Sequence, residues 1–147
     1  ASLHKHGIYQ MDDYRNSERT AADFTDTYEA ENNIPARCRV SPKWNPADDK
    51  EVKLEKIITQ KWIAMFPEGC EAWAEQRRTG YPRLFPVRFN HSRNGWIDTE
   101  TIIRRLNVPC TLQTEDKEQD SALVEALNGP DHGGTRLWWD TGNNRLD

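Results

Sequence analysis

Asp140-Thr141-Gly142 is the tripeptide of aspartic proteases, in which two acids on buried loops share one proton. Only Asn143-Asn144-Arg145-Leu146-Asp147 follows it, too little for the strands, flap and helix that such a dimeric protease builds after that loop. The three residues read as a plain terminal turn. His4-x-His6 has a chelating spacing, but His91 and His132 lie far away in sequence and no HExxH or Cys-rich set accompanies them. Solvent-exposed histidines are the better reading. Cys38, Cys70 and Cys110 are 32 and 40 residues apart, which is neither a dense disulfide framework nor a zinc spacing. They read as small buried or half-buried thiols with at most one bridge. GxSxG, the P-loop and GxGxxG are missing. Acid pairs such as Asp12/Asp13, Asp48/Asp49 and Glu71/Glu75 carry little information among 24 carboxylates. The chain reads as not an enzyme, with no cofactor and no metal centre.

Aromatic rings outside any helical stripe are the remaining candidates, because a flat apolar ring stacks on a sugar face or anchors an interface with little entropy loss. Trp44, Trp96, Trp138 and Trp139 qualify. Core filling accounts better for Trp138 and Trp139. Trp96 follows Asn94-Gly95, a turn signal that places it at an exposed loop tip with His91 and Arg93 nearby. Trp96, His91 and Arg93 are therefore the candidate ligand-binding residues. Trp73 and Arg77, four apart on one helix, are spaced to stack, and Glu75 is spaced to pair with Arg78. Both contacts read as structural.

The elements that position these residues are mainly helical. Residues 1–45 are rich in turn formers, with Asp12-Asp13, Asn16-Ser17 and Asn32-Asn33, and read as long ordered loops. Short helical turns at Ser2 to His6 and Asp12 to Ser17, and a short strand at Arg37 to Ser41, fit the pattern. Residues 46–80 read as a helical hairpin. Asn45 suits an N-cap, Pro46 suits the first helical position, and Asp48 and Asp49 suit the positive end of the dipole. Leu54, Ile57/Ile58, Trp62 and Met65/Phe66 recur at helical spacing, with Lys53, Glu55, Lys56, Thr59 and Gln60 on the other side. Phe66-Pro67-Glu68-Gly69 turns the chain into a second helix, from about Cys70 to Thr79, that ends on Gly80 as a left-handed cap.

Residues 81–113 read as loops with one short helix at Asp98 to Arg105, capped by Asp98 and burying Ile102/Ile103. Residues 114–128 read as a helix with Thr114 as cap, an apolar stripe of Ala122, Leu123, Ala126 and Leu127, and Gly129-Pro130 as its stop. Residues 129–147 form a tail.

Composition narrows the partners. Twenty Lys and Arg against 24 Asp and Glu give a net charge of −4, so no excess positive field exists for nucleic acid. Leu, Ile, Val and Phe fill 26 of 147 positions, below the ~20% that ordinary globular chains exceed. Six tryptophans and the modest net charge argue against disorder, so the large aromatics carry much of the burial and lean on another domain or subunit. No apolar run reaches the ~20 residues of a bilayer span. The first residues hold neither an apolar leader nor a Cys for lipidation, as in a mature chain, a cytosolic one or a fragment.

Leu54-Glu55-Lys56-Ile57-Ile58-Thr59-Gln60-Lys61-Trp62-Ile63-Ala64-Met65-Phe66-Pro67-Glu68-Gly69, continuing through Glu71-Ala72-Trp73-Ala74-Glu75 to Arg77-Arg78-Thr79-Gly80-Tyr81-Pro82, resembles the C-terminal part of the SusD/RagB family of Bacteroidetes outer-membrane lipoproteins. Asn32-Asn33-Ile34, Ile103-Arg104-Arg105-Leu106 and Gly133-Gly134-Thr135-Arg136-Leu137-Trp138-Trp139-Asp140 support it in order. The resemblance implies the C-terminal part of a SusD-like α fold, as a fragment or truncated form, because family members are several times longer and carry a lipidated Cys and a TPR-like scaffold. The rest of a larger SusD-like protein is then a partner. It further implies a surface-exposed place at the cell outer membrane, binding of oligosaccharide, and its delivery to a SusC-like TonB-dependent transporter. Family sugar contacts lie mainly on variable loops, so none is carried over. The alternative is a docking or assembly module whose helical face meets a protein and which binds no glycan itself.

Overall fold

The computed structural model describes residues 11–92, 96–98, 100–109, 117–127 and 129–141. Its regular structure is helical, with no strand among the described residues: α1 (Met11–Arg15), a 3-10 turn (Ala30–Asn32), α2 (Lys50–Ala64), α3 (Gly69–Thr79) and α4 (Lys117–Ala126). Long ordered loops join them, so the fold is mainly α with a helical hairpin, as expected. The described residues divide into two compact units, 11–85 and 86–141.

In the first unit, α1 docks on α2 through the Tyr14 hydroxyl, which donates to Gln60 Oε1 at 3.0 Å. Ser2 to His6 lies outside the described residues. Phe24 and Ile34 form an isolated antiparallel bridge, and the loop between them is held by Asp26, whose carboxylate accepts from the Tyr28 and Glu29 amides and from Asn32. Arg37 to Ser41 is not a strand. Its anchors are the buried residues Ala36 and Cys38 and the Ala36 amide, which donates to Asp23 at 2.7 Å, so no neighbouring strand is needed.

The start of α2 also differs from its sequence pattern. The Asn45 side chain accepts from the Ala47 amide at 3.0 Å and the Asn45 carbonyl from the Asp48 amide at 3.1 Å. Residues 45–48 are thereby spent on a turn. Asp49 caps the helix instead, accepting from Val52 N at 2.8 Å.

The expected apolar stripe of α2 is only partly covered. Ile58 is buried, whereas Ile57 is 53% and Phe66 74% exposed. Glu55 and Lys56, read from sequence as the solvated side, are buried. Lys56 goes under because its ammonium finds Asp48 Oδ2 and the Lys43 carbonyl, both at 2.6 Å. Burial pushes the Glu55 carboxyl up, against the pull of Arg83, whose Nε lies 3.7 Å away.

Helix α3 packs back through Ala72, Gln76 and Thr79, and the two helices touch along the hairpin. Lys61 on α2 bridges Glu75 at 2.9 Å and Glu71 at 3.2 Å on α3, and Glu75 also holds Arg78 at 2.6 Å. The Arg77 guanidinium lies 4.0 Å from the Trp73 ring centroid. Gly80 ends α3 in the left-handed region at φ 77°. The chain then returns to the start of α2, where the Tyr81 hydroxyl donates to Glu51 Oε2 at 2.9 Å.

In the second unit, the described part of residues 98–105 is not helical. Asp98 takes the Glu100 and Thr101 amides on its side chain, as a cap would. The amides of Arg104 and Arg105 then donate to the Gly133 carbonyl at 2.7 and 3.3 Å, which withdraws them from any helical ladder. Helix α4 covers Lys117–Ala126, while Thr114, Glu115 and Asp116 lie outside the described residues. Its stripe is not buried: Ala122, Leu123 and Ala126 are exposed and Leu127 half-buried.

The tail folds back onto the consecutive arginines. Asp140 is buried at 3% exposure, and Arg104 grips both of its oxygens through Nε and, at 2.8 Å, through a terminal nitrogen. Arg136, one helical turn before it in sequence, adds a contact at 2.7 Å. The terminal-turn reading of Asp140-Thr141-Gly142 thus gives way to a buried anchor. Burial drives the Asp140 carboxyl up, but the two guanidiniums outweigh it and hold it below its ordinary range.

Two outcomes follow from these contacts. Gly80→Ala puts a Cβ into the left-handed region and is expected to cost about 1 kcal/mol, read as a lower urea midpoint at unchanged slope. Asp140 has a lower pKa folded than unfolded, so its stabilisation is complete above about pH 4 and drains away as pH falls through the folded value. Asp140→Asn should lose about 3 kcal/mol at pH 7 by leaving Arg104 half-paired, and the gap to the parent should narrow in melts below about pH 4.

Candidate functional site

Trp96 sits on a loop whose base is closed by short polar side chains. Asn90 donates from its amide to the Ile97 carbonyl at 2.6 Å, and the Ile97 amide donates to Ser92 Oγ at 3.0 Å. The Ser92 amide returns to Asn90 Oδ1 at 2.8 Å. This chemistry explains why Asn and Ser stand at these positions: each satisfies backbone groups that no sheet or helix would otherwise serve. His91 is exposed and Trp96 is 37% exposed. Arg93 lies outside the described residues. Of the three sequence candidates, the structure therefore describes His91 and Trp96 on one loop.

The loop is seated from below by a turn at residues 130–135. Gly133 N donates to the Trp96 carbonyl at 2.7 Å. That turn is in turn tied to residues 104–108. Both terminal nitrogens of Arg105 donate to Asp131 Oδ1 at 2.6 Å, and the Val108 amide donates to both Asp131 oxygens at 3.1 and 3.2 Å. Asn107 reaches the Asp131 carbonyl at 2.9 Å. Sequence reasoning singled out none of Arg105, Asp131 and Gly133 as supports. The available signal was a buried-type pairing of Arg-Arg with two acids flanked by turn formers, but nothing in spacing alone matches each arginine to its acid.

Other surfaces offer less. Among the described residues no group of three His, Cys, Asp or Glu is arranged to hold a metal. His4 and His6 lie outside them. Cys38 is buried and Cys70 exposed, both as free thiols, and Cys110 lies outside the described residues. A concavity of about 860 Å³ in the first unit is lined by Asp13, Arg19, Lys56 and Gln60, but the Lys56 ammonium is already committed to Asp48 and Lys43. A second, of about 540 Å³, lies among Trp62, Met65, Phe66, Pro67 and Ala72 at the hairpin corner and is chiefly apolar. Trp44 at 51%, Trp138 at 88% and Trp139 at 38% are exposed, so core filling does not account for Trp138.

Comparison with known proteins follows the same lines. The family model described as SusD-like, SusD and RagB outer membrane lipoprotein, matches residues 1–140. Among solved structures, a chitin-binding SusD homologue from Flavobacterium johnsoniae is 46% identical with a TM-score of 0.81, over 96% of this chain and 29% of its own. A SusD homologue from Bacteroides vulgatus is 46% identical with a TM-score of 0.82, over 99% of this chain and 29% of its own. One from Bacteroides thetaiotaomicron is 38% identical with a TM-score of 0.79, over 95% and 31%. The chain thus spans about three-tenths of the length of the structures it matches. Comparison with curated proteins gives no match. With a family model covering nearly all of its length and relatives 46% identical that cover 96% and 99% of it, the chain belongs to the SusD-like family of SusD and RagB outer membrane lipoproteins.

Proposed function

We propose that this chain is part of a SusD-like nutrient-binding protein that captures oligosaccharide at the outer-membrane surface and passes it to a SusC-like TonB-dependent transporter. The observation that carries the reading is the half-exposed Trp96 ring on a loop with a fixed base, in a chain 46% identical to a chitin-binding homologue. A sugar presents alternating faces of C–H groups and hydroxyl edges. The indole covers the former, and His91 and Arg93 supply donors for the latter. Binding of this kind needs no bond making, so the role is capture and not catalysis. The remainder of a larger SusD-like protein is the partner on which this part is carried. No helix among the described residues is long and apolar enough to cross a membrane, and the lipoprotein character of the family supplies the attachment.

A second reading is a docking module that binds no glycan. It is favoured by Ile57, Ile63 and Phe66, which are 53%, 41% and 74% exposed on and just after α2.

Titration of the chain with chito-oligosaccharides, within a panel of other glycans, separates the two. Capture predicts a saturable change in tryptophan emission that Trp96→Ala weakens by about tenfold or more. His91→Ala and Arg93→Ala each weaken it about threefold, the scale of one exposed polar contact. A flat titration across the whole panel by the folded chain would leave the docking module as the reading.

A further inference from the structure

We infer that Gly133, on a turn clamped by the part-buried Arg105–Asp131 pair, is the positioning device that sets where the Trp96 main chain, and with it the ring's point of attachment, stands. The inference rests on the reading of Trp96 as a glycan contact and extends it to residues that touch no sugar.

Gly133 is a crossing point of three chain segments. Its N–H holds the Trp96 carbonyl at 2.7 Å, and its carbonyl accepts from the Arg104 and Arg105 amides. No side chain at 133 fits this crossing unchanged. A Cβ there would stand 3.2 Å from the Trp96 carbonyl oxygen and 3.3 Å from Ile97 Cγ1, so the Trp96 segment would have to retreat by a few tenths of an ångström. The neighbouring Gly134 is different, because a Cβ there meets Thr101 Cγ2 and the His132 ring, not the Trp96 segment.

The turn that carries Gly133 is itself closed on all sides. His132 N donates to the Pro130 carbonyl at 2.8 Å and Thr135 N to the His132 carbonyl at 3.0 Å. Thr135 Oγ1 donates to the Pro130 carbonyl at 2.7 Å, and Gly134 N to His132 Nδ1 at 2.9 Å. Charge ties this closed turn to residues 104–108. Arg105, 6% exposed, donates twice to Asp131 Oδ1 and once, at 3.3 Å, to the His132 carbonyl. A guanidinium fork fixes direction as well as distance. The path from the pair to the Trp96 main chain is therefore two hydrogen bonds long: Arg105 to residues 131–132, then Gly133 to the Trp96 carbonyl. A segment held this way offers its side chain to a ligand without its main chain first being ordered, and ordering a loop is a cost that binding otherwise bears.

The test labels the full chain with 5-fluorotryptophan and assigns the Trp96 fluorine resonance by its loss in Trp96→Phe. Gly133→Ala should shift or broaden the Trp96 resonance while those of Trp44, Trp62 and Trp73 in the first unit stay in place. It should also weaken chito-oligosaccharide binding about tenfold. Asp131→Asn, which keeps Gly133 but loosens the fork, should move the same resonance. Circular dichroism reports folding, and if Asp131→Asn does not fold, Gly133→Ala decides. An unmoved Trp96 resonance in folded Gly133→Ala overturns the inference. The resonance is read without sugar, so its shift supports the positioning role even where Trp96→Ala leaves glycan affinity intact. That second result removes the glycan reading alone.

Discussion

Charge that has been taken out of water is the constraint on which the second unit depends. Arg104 and Arg105 are neighbours in sequence, yet one guanidinium closes on Asp140 and the other on Asp131. Neighbouring side chains of a non-helical segment diverge, so a single dipeptide staples two separate points of the tail. Such pairs gain little over well-packed apolar residues, but a half-pair left in the interior is costly. The tail is therefore held in register less by the energy each pair adds than by the penalty any other register would incur. The first unit uses the same device at Lys56, whose side-chain nitrogen meets Asp48 and the Lys43 carbonyl, both at 2.6 Å.

This reliance on buried charge explains which parts of the fold were legible in the sequence. The hairpin was readable because its signals are local: Pro67 in the turn, Gly80 at the exit, and the spacing that brings Arg77 over Trp73 and Arg78 to Glu75. Glu55 and Lys56 were not readable, since a charged residue looks solvated until its partner is known. Asp48 is eight positions away from Lys56, and Lys43 thirteen. The N-cap moved from Asn45 to Asp49 because Asn45 is equally good at closing a turn, and local chemistry does not rank the two uses. The helix expected at Asp98 to Arg105 failed for a longer-range reason: Gly133 competes for its amides. At the candidate site the loop was visible through its turn formers. Its support was not, because a backbone-to-backbone contact from residue 133 to residue 96 leaves no mark in side-chain type beyond a glycine.

The apolar residues complete the same picture. Ile58 is buried, but Phe66 and Trp138 present most of their surface to water, although both belong to the greasiest stretches of the sequence. A chain with few aliphatic residues would be expected to bury every large ring it has. That it does not, while burying Glu55, Lys56, Arg105 and Asp140, separates two tasks. Paired charges shape the interior, and several large rings remain available to other surfaces.

The anchoring of the Trp96 loop has a consequence for how recognition and stability are divided. The loop is joined to its support through the Trp96 carbonyl, and its base is closed by Asn90 and Ser92. Substitutions at Gly133 or Asp131 act on the seat, and through it on where Trp96 stands. The placement of Trp96 thus resides in main-chain bonds beneath the loop, where a change of side chain at the surface does not reach them.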